Sequence, residues 1–256
     1  MAGGRAYYSE KGLSAVFYDL ITAHDRSLLG DIDLYESLAP PGGSVLELGA
    51  GTGRVALALA ERGLSVVGVD LAPAMLAQAE TKRARLDPDH RLAVEFRRGD
   101  MTSLQLDRQF DLVICPFFGL AHLPAGAAWR NAFAVAARHL KPGGRAAFHL
   151  PLKAVMAGLP PPDPKQPVAR LSIDQSGREL VLYVGERRFR EAIGRFDQVT
   201  DYVVADARGA PMQRSSEHLT YYAADPAPFA EAAGLTVERD PVELGGAGAV
   251  HIFRKP

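Results

Sequence analysis

The stretch Val45-Leu46-Glu47-Leu48-Gly49-Ala50-Gly51-Thr52-Gly53-Arg54 constrains this chain more than any other. Val45, Leu46 and Leu48 read as a short buried strand, the glycines after them as a loop, and the Ala/Leu-rich run 55–62 as a helix. A glycine loop between strand and helix lets a ligand approach the backbone closely. Spacing separates the ligands that such a loop serves. The phosphate-cradling form, G-x-x-x-x-G-K followed by Ser or Thr, needs glycine at 54 and then lysine, and neither is there. The dinucleotide fingerprint G-x-G-x-x-G, counted from Gly49, also needs glycine at 54, where Arg54 stands. What remains is a carboxylate, Glu47, at the strand end, followed by glycine at every second position. A carboxylate there would repel a pyrophosphate.

The strand-and-helix unit then repeats. The pattern predicts a strand over 66–69, a helix opening at Pro73, strands over 93–96 and 110–115, and a helix over 129–140 that Lys141-Pro142-Gly143-Gly144 ends. A further strand covers 145–150. Strands alternating with helices mean a parallel sheet. Ahead of it, Leu13, Val16, Phe17, Leu20 and Ile21 fall at helical spacing, and a second periodic run covers 28–38. Behind it, five prolines within 158–167 stop either element. The β-prone runs 169–173, 179–184, 198–205 and 212–222 then read as an antiparallel insertion, and a helix over 226–233 with strands over 235–238 and 249–253 returns to the α/β pattern. The expected organisation is a helical N-terminal cap (1–40), an α/β core (41–157), an antiparallel β insertion or lid (158–222), and a closing helix with strands (223–256).

Composition narrows the classes. At 256 residues, 47% hydrophobic and 23% charged, the chain is a globular one able to bury a sizeable core. A net charge of −1 gives no general attraction to a polyanion, so no nucleic-acid partner is expected. The single Cys115 excludes an internal disulfide and a zinc framework. No run of about eighteen apolar residues occurs and 1–11 is polar, so neither membrane spanning nor export is expected, and a cytoplasmic location fits.

The glycine loop with its acidic residue resembles the first motif of class I S-adenosylmethionine-dependent methyltransferases. The resemblance continues through Val66-Val67-Gly68-Val69-Asp70-Leu71-Ala72-Pro73-Ala74-Met75-Leu76, Gly99-Asp100-Met101, Phe110-Asp111-Leu112-Val113-Ile114 and Leu140-Lys141-Pro142-Gly143-Gly144. It covers about 45–151 well. It implies a Rossmann-like fold: α/β, with a mostly parallel seven-stranded sheet, helices on both faces and a small antiparallel β insertion of the kind found in small-molecule methyltransferases. It also implies S-adenosylmethionine as cofactor. Asp70, 23 residues after Glu47, would accept from the ribose hydroxyls, and Asp100 from the adenine amino group. Met101 would offer a backbone amide, and Leu71 and Met75 apolar faces. Glu47 and the backbone of Gly49, Gly51 and Gly53 would flank the methionine part with its cationic amine, covered by Tyr8 and Tyr18. Arg54 and Pro116 complete the expected cofactor contacts.

Methyl transfer from a sulfonium is a direct displacement that chiefly needs alignment and exclusion of water, and no metal. A general base is needed only if the acceptor holds its proton tightly. Candidates are His122, His149 near the end of its strand, and Tyr221. Phe117 and Phe118 after the fourth strand, with Arg190 and Tyr202 in the insertion, are the candidate contacts to a small-molecule acceptor. Each residue also has a plainer reading: Met75 as core filling, Cys115 as a small buried hydrophobe, His90 and His139 as solvent-facing, and the insertion as a homodimer sheet instead of a lid. Two other function classes stay open, a nicotinamide-dependent oxidoreductase and a noncatalytic S-adenosylmethionine-binding regulator.

Overall fold

A computed structural model describes residues 5–9 and 12–256, so part of the polar stretch 1–11 lies outside the described residues. In chain order the elements are β1 (Arg5–Ala6), α1 (Leu13–Val16), α2 (Tyr18–Ala23), α3 (Asp31–Leu38), β2 (Ser44–Leu48), α4 (Arg54–Glu61), β3 (Ser65–Asp70), α5 (Pro73–Arg83), α6 (Pro88–Ala93), β4 (Val94–Arg98), β5 (Phe110–Cys115), α7 (Ala127–His139), β6 (Leu140–Pro151), α8 (Lys153–Gly158), β7 (Pro167–Ser172), β8 (Glu179–Arg190), β9 (Arg195–Ala205), β10 (Pro211–Tyr222), α9 (Ala227–Ala232), β11 (Thr236–Val237), β12 (Val242–Leu244) and β13 (Gly248–Arg254). They form two compact units, one of 26–152 with 223–256 and the other of 1–25 with 153–222. The expected N-terminal segment 1–40 therefore divides at Asp25, its first two helices joining the antiparallel strands and α3 joining the α/β unit. No helix among the described residues is long and apolar enough to cross a membrane.

The α/β unit is built on an eight-stranded sheet of order β11-β13-β6-β5-β2-β3-β4, with β12 also paired to β13. Strands β2 to β6 run parallel, and β13 returns antiparallel to β6. From β2 the chain winds outward through β3 and β4, then starts again on the other side with β5, so the winding reverses between β2 and β5. In open α/β sheets, ligands bind outside the carboxyl ends of the strands at such a reversal. The central parallel strands β2, β3 and β5 are buried on both faces, which is why they read as largely apolar runs, whereas β4 at the sheet edge exposes Glu95, Arg97 and Arg98. Helix α7 buries Trp129, Ala132, Phe133 and Ala136 along one face. Phe133 meets Phe148 of β6 at 4.3 Å and, edge-on, Phe253 of β13 at 5.5 Å, while Trp129 meets Phe229 of α9 at 5.5 Å. These rings lock the helix and the closing strands to the sheet.

His139 closes α7 facing inward, contrary to the solvent-facing expectation. It is fully buried, its Nδ1 lies 2.7 Å from the Val135 carbonyl, and Leu106 N donates to its Nε2 at 2.9 Å. Both ring nitrogens are hydrogen-bonded, which fastens the loop before β5.

In the second unit the strands follow the order β1-β10-β9-β8-β7, antiparallel except where β1 lies parallel to β10. One face carries Leu180, Leu182, Tyr202 and Val204, packed against Leu13 of α1, Phe17 between the two helices, and Leu20 and Ile21 of α2. The N-terminus of α1 is held by the fully buried Glu217 of β10. Ser14 N donates to its Oε1 at 3.1 Å, Ser14 Oγ donates to Oε2, and Ser215 Oγ donates to Oε1 at 2.8 Å. A carboxylate at a helix N-terminus satisfies amides that the helix leaves open.

Candidate active site

Strand β2 delivers Glu47, β3 ends at Asp70, and Asp100 follows β4 by two residues, so three acidic side chains stand at the carboxyl ends of three neighbouring strands. Asp70 is engaged within the loop itself. Its Oδ2 accepts from Gly51 N at 2.8 Å and its Oδ1 from Ala72 N at 2.8 Å. Burial raises its carboxyl above the ordinary value against the pull of these amides. A carboxylate has about four lone-pair sites, so two amides leave room for two hydroxyl donors. Asp100 Oδ1 accepts from Thr102 N and Thr102 Oγ1, both at 2.8 Å, which fixes the turn after β4 and leaves its other oxygen to an outside donor.

The loop adopts the left-handed backbone at Gly51 (φ +55°) and Gly53 (φ +78°). At Gly53 a Cβ would sit 2.6 Å from the Phe96 ring, so this glycine is required by the approach of α4 to the sheet. At Gly51 a Cβ would meet only Met75 Cε at 3.5 Å, an ordinary contact, so the protein leaves open space above this glycine. Met75 is buried with its methyl group at that space. Leu71 is exposed beside it, and Gly49 lies under Met101, whose Cε is 3.4 Å from where a Cβ would stand.

Glu47 is almost fully buried, and its Oε2 has no hydrogen-bond partner among the described residues. Burial pushes its carboxyl up to about 8, opposed first by the Arg54 charge and then by the Ala56 amide. A buried, unfilled acceptor beside a glycine loop suits a cationic ligand group. Arg54 is engaged in the framework. Its Nη1 and Nη2 donate to Asp31 Oδ1 and Oδ2 at 3.1 and 2.5 Å, tying α4 to the buried start of α3. Asp31 and the fully buried Tyr35 behind it were not singled out in the sequence, because a pair 23 residues apart on two helices leaves no periodic signal.

Beyond β5, at the winding reversal, Pro116 leads into Phe117 and Phe118, both with positive φ, +43° and +61°. Two consecutive aromatic residues in this region cost roughly 1–2 kcal/mol each. Gly119 N donating to the Pro116 carbonyl at 3.1 Å, Phe118 N to the His149 carbonyl at 3.1 Å and Ala121 N to the Phe118 carbonyl at 2.9 Å hold the turn in place. The Phe118 ring meets the fully buried His149 ring at 4.7 Å. His122 ends the short helical turn Gly119–His122, and burial pushes its imidazole down to about 4, so it is neutral at pH 7. Cys115 is fully buried with its thiol pushed up to about 12, which makes it inert packing.

The insertion residues divide between the two faces of the sheet. Arg190 pairs with Arg195, and the seven-residue step along β9 to Tyr202 puts the two on opposite faces of the sheet. Tyr221 pairs with Phe196 and shares the face of Tyr202, where Tyr202 fills the core at 2% exposure and donates to Tyr7 Oη at 3.3 Å. Burial raises the Tyr221 phenol well above its ordinary value. Tyr18 lies in the same unit, edge-on to Tyr8 at 5.5 Å. Arg190, Tyr202 and Tyr221 therefore cannot line one wall.

Residues 45–144 match the methyltransferase domain family. The chain is 36% identical over 153 residues to the cypemycin N-terminal methyltransferase of Streptomyces sp, covering 54% of each. It is 32% identical over 148 residues to the dTDP-3-amino-3,6-dideoxy-alpha-D-glucopyranose N,N-dimethyltransferase of Streptomyces fradiae, covering 56% of this chain and 54% of that one. The matched region thus spans about half the length of these curated relatives. Among solved structures, the CcbJ methyltransferase from Streptomyces caelestis superposes with a TM-score of 0.75 at 21% identity, over 98% of both chains. Residues 45–144 belong to the methyltransferase domain family, and the fold that contains them is that of the class I S-adenosylmethionine-dependent methyltransferases.

Proposed function

We propose that this chain transfers a methyl group from S-adenosylmethionine to a nitrogen of a small-molecule acceptor. One observation carries the reading: Glu47, Asp70 and Asp100 end three adjacent strands beside the winding reversal, with Gly51 left open between them. The cofactor supplies, when bound, a methyl group already activated on a sulfonium. Asp70 holds the ribose hydroxyls with the lone pairs that Gly51 and Ala72 leave. Asp100 takes the adenine amino group, Leu71, Met75 and Met101 flank the ring, and Glu47 offers its unfilled oxygen to the ammonium.

Support for nitrogen comes from His122. An imidazole that protonates only near pH 4 is a weak base, adequate beside an amine that sheds its proton readily and poor for drawing one from a hydroxyl. The two curated relatives described above are also named for methylation at nitrogen. Calorimetric titration with S-adenosylhomocysteine tests the cofactor, and transfer of labelled methyl to matched panels of small amines and alcohols tests the acceptor. Binding with label appearing only on amines is the expected result. No binding overturns the reading, and label on alcohols alone overturns the choice of nitrogen.

A further inference from the structure

Strand β8 breaks its alternation at Gly185, where the pairing with β9 slips between Val184 and Glu186. Strand β7 begins at Pro167, opposite Tyr183, and leaves the second half of β8 as an edge. At this edge lies a cleft of about 410 Å³ within the antiparallel unit, lined by Arg187, Arg188 and Arg190 of β8, Asp197 and Gln198 of β9, and His218 of β10. That volume falls in the range of small-molecule sites.

Its polar groups are not equally engaged. Arg187 is occupied, with Nε donating to Gln198 Oε1 at 2.9 Å and Nη1 to the Pro160 carbonyl at 2.9 Å. Arg188 lies directly across from Asp197, yet Asp197 Oδ1 instead accepts from Arg195 Nε and Nη2 at 3.0 and 2.8 Å and from Thr220 Oγ1 at 2.8 Å. His218 Nε2 stands 3.4 Å from that same oxygen. The other oxygen, Oδ2, is buried and has no hydrogen-bond partner among the described residues, on a side chain only 6% exposed. Arg190 Nε is likewise buried without a partner. The cleft thus joins two arginines two positions apart on one face to a buried acceptor that nothing fills. A phosphate monoester carries more negative charge than a carboxylate and has three oxygens to share between two guanidiniums. The acceptor at Asp197, and the exposed Glu186 at the rim, would repel an anion that brought no donor of its own.

We propose that this cleft is a second small-molecule site, taking a hydroxylated phosphate ester with its phosphate on Arg188 and Arg190 and a hydroxyl donating to Asp197 Oδ2. The assignment stands whether or not the methyl-transfer reading holds. The test is calorimetric titration of the full chain with glycerol phosphate and with inorganic phosphate, in the wild type, in R188Q/R190Q and in D197N, each checked for an unchanged circular dichroism spectrum. Glycerol phosphate should bind more tightly than inorganic phosphate, and R188Q/R190Q should weaken both by roughly tenfold or more while leaving S-adenosylhomocysteine affinity unchanged. D197N retains the oxygen that holds Arg195 and replaces the repelling one with a donor. It should narrow the preference for the ester by tightening inorganic phosphate. Absence of binding to the wild type, undiminished binding to R188Q/R190Q, an unaltered preference in D197N, or displacement of the ester by S-adenosylhomocysteine would each overturn the proposal. Loss of S-adenosylhomocysteine binding with ester binding retained would sink only the methyl-transfer reading.

Discussion

Asp70 holds the glycine loop from beneath, its Oδ2 accepting from the backbone N–H of Gly51 at 2.8 Å. The residue that the motif assigns to the ribose therefore also shapes the loop. Replacing Asp70 with Ala removes both roles, and with charge-assisted hydrogen bonds worth about 1.5–3 kcal/mol each, S-adenosylhomocysteine affinity should fall by roughly tenfold to a thousandfold. Asp70→Asn keeps an oxygen for one amide and turns the other acceptor into a donor, so it should lose affinity while melting closer to wild type than Asp70→Ala. Equal calorimetric affinities for wild type and Asp70→Ala would exclude the role.

Glu47 makes cofactor binding depend on pH. In the ligand-free chain its carboxyl ionises only near 8, and an ammonium requires the carboxylate, so binding releases a proton. Affinity should rise by up to about tenfold per pH unit below 8 and level off above it. Folding responds in the opposite direction. The folded value lies above the ordinary carboxyl value of about 4.5, so the neutral form's contribution to stability is complete below about 4.5 and is lost as pH rises through about 8. Glu47→Gln should flatten both dependences, bind more weakly at alkaline pH, and melt above wild type there. Parallel pH slopes of affinity in the two proteins would refute this.

Gly51 and Gly53 should separate binding from folding. Gly53→Ala drives a methyl group to 2.6 Å from the Phe96 ring with φ at +78°, so it should cost about 2–4 kcal/mol of stability. Gly51→Val meets no such wall, should cost about 1–2 kcal/mol through its backbone alone, and should fold without binding S-adenosylhomocysteine. Urea unfolding with parallel calorimetry checks the contrast, and a Gly51→Val protein that binds normally would give the loop another role.

Glu217 should be worth more to folding than its polar character suggests. Glu217→Ala leaves Ser14 N, Ser14 Oγ and Ser215 Oγ without their buried acceptor and opens a cavity beside α1, for a loss of about 2–4 kcal/mol. Glu217→Gln keeps one acceptor and should lose about half of that. A thermal melt in which both variants match wild type would show that the cap is dispensable.

The α/β unit was legible in the sequence because its signals are local. A buried parallel strand is an apolar run, a glycine with φ near +78° is a glycine, and a carboxylate at a strand end follows that run directly, so Glu47, Asp70 and Asp100 could be found without knowing which strands touch. Tertiary structure decided what depends on register and on residues far apart in the chain. It turned His139 inward, where a backbone amide from the preceding loop reaches its ring, and it gave Arg54 to Asp31, 23 positions away. A one-residue slip at Gly185 set the face of Arg190, and with it the separation of that arginine from Tyr202, because side chains alternate along a strand and one added residue reverses the order. Propensity and pattern act within a few residues, whereas burial and charge pairing act across the fold.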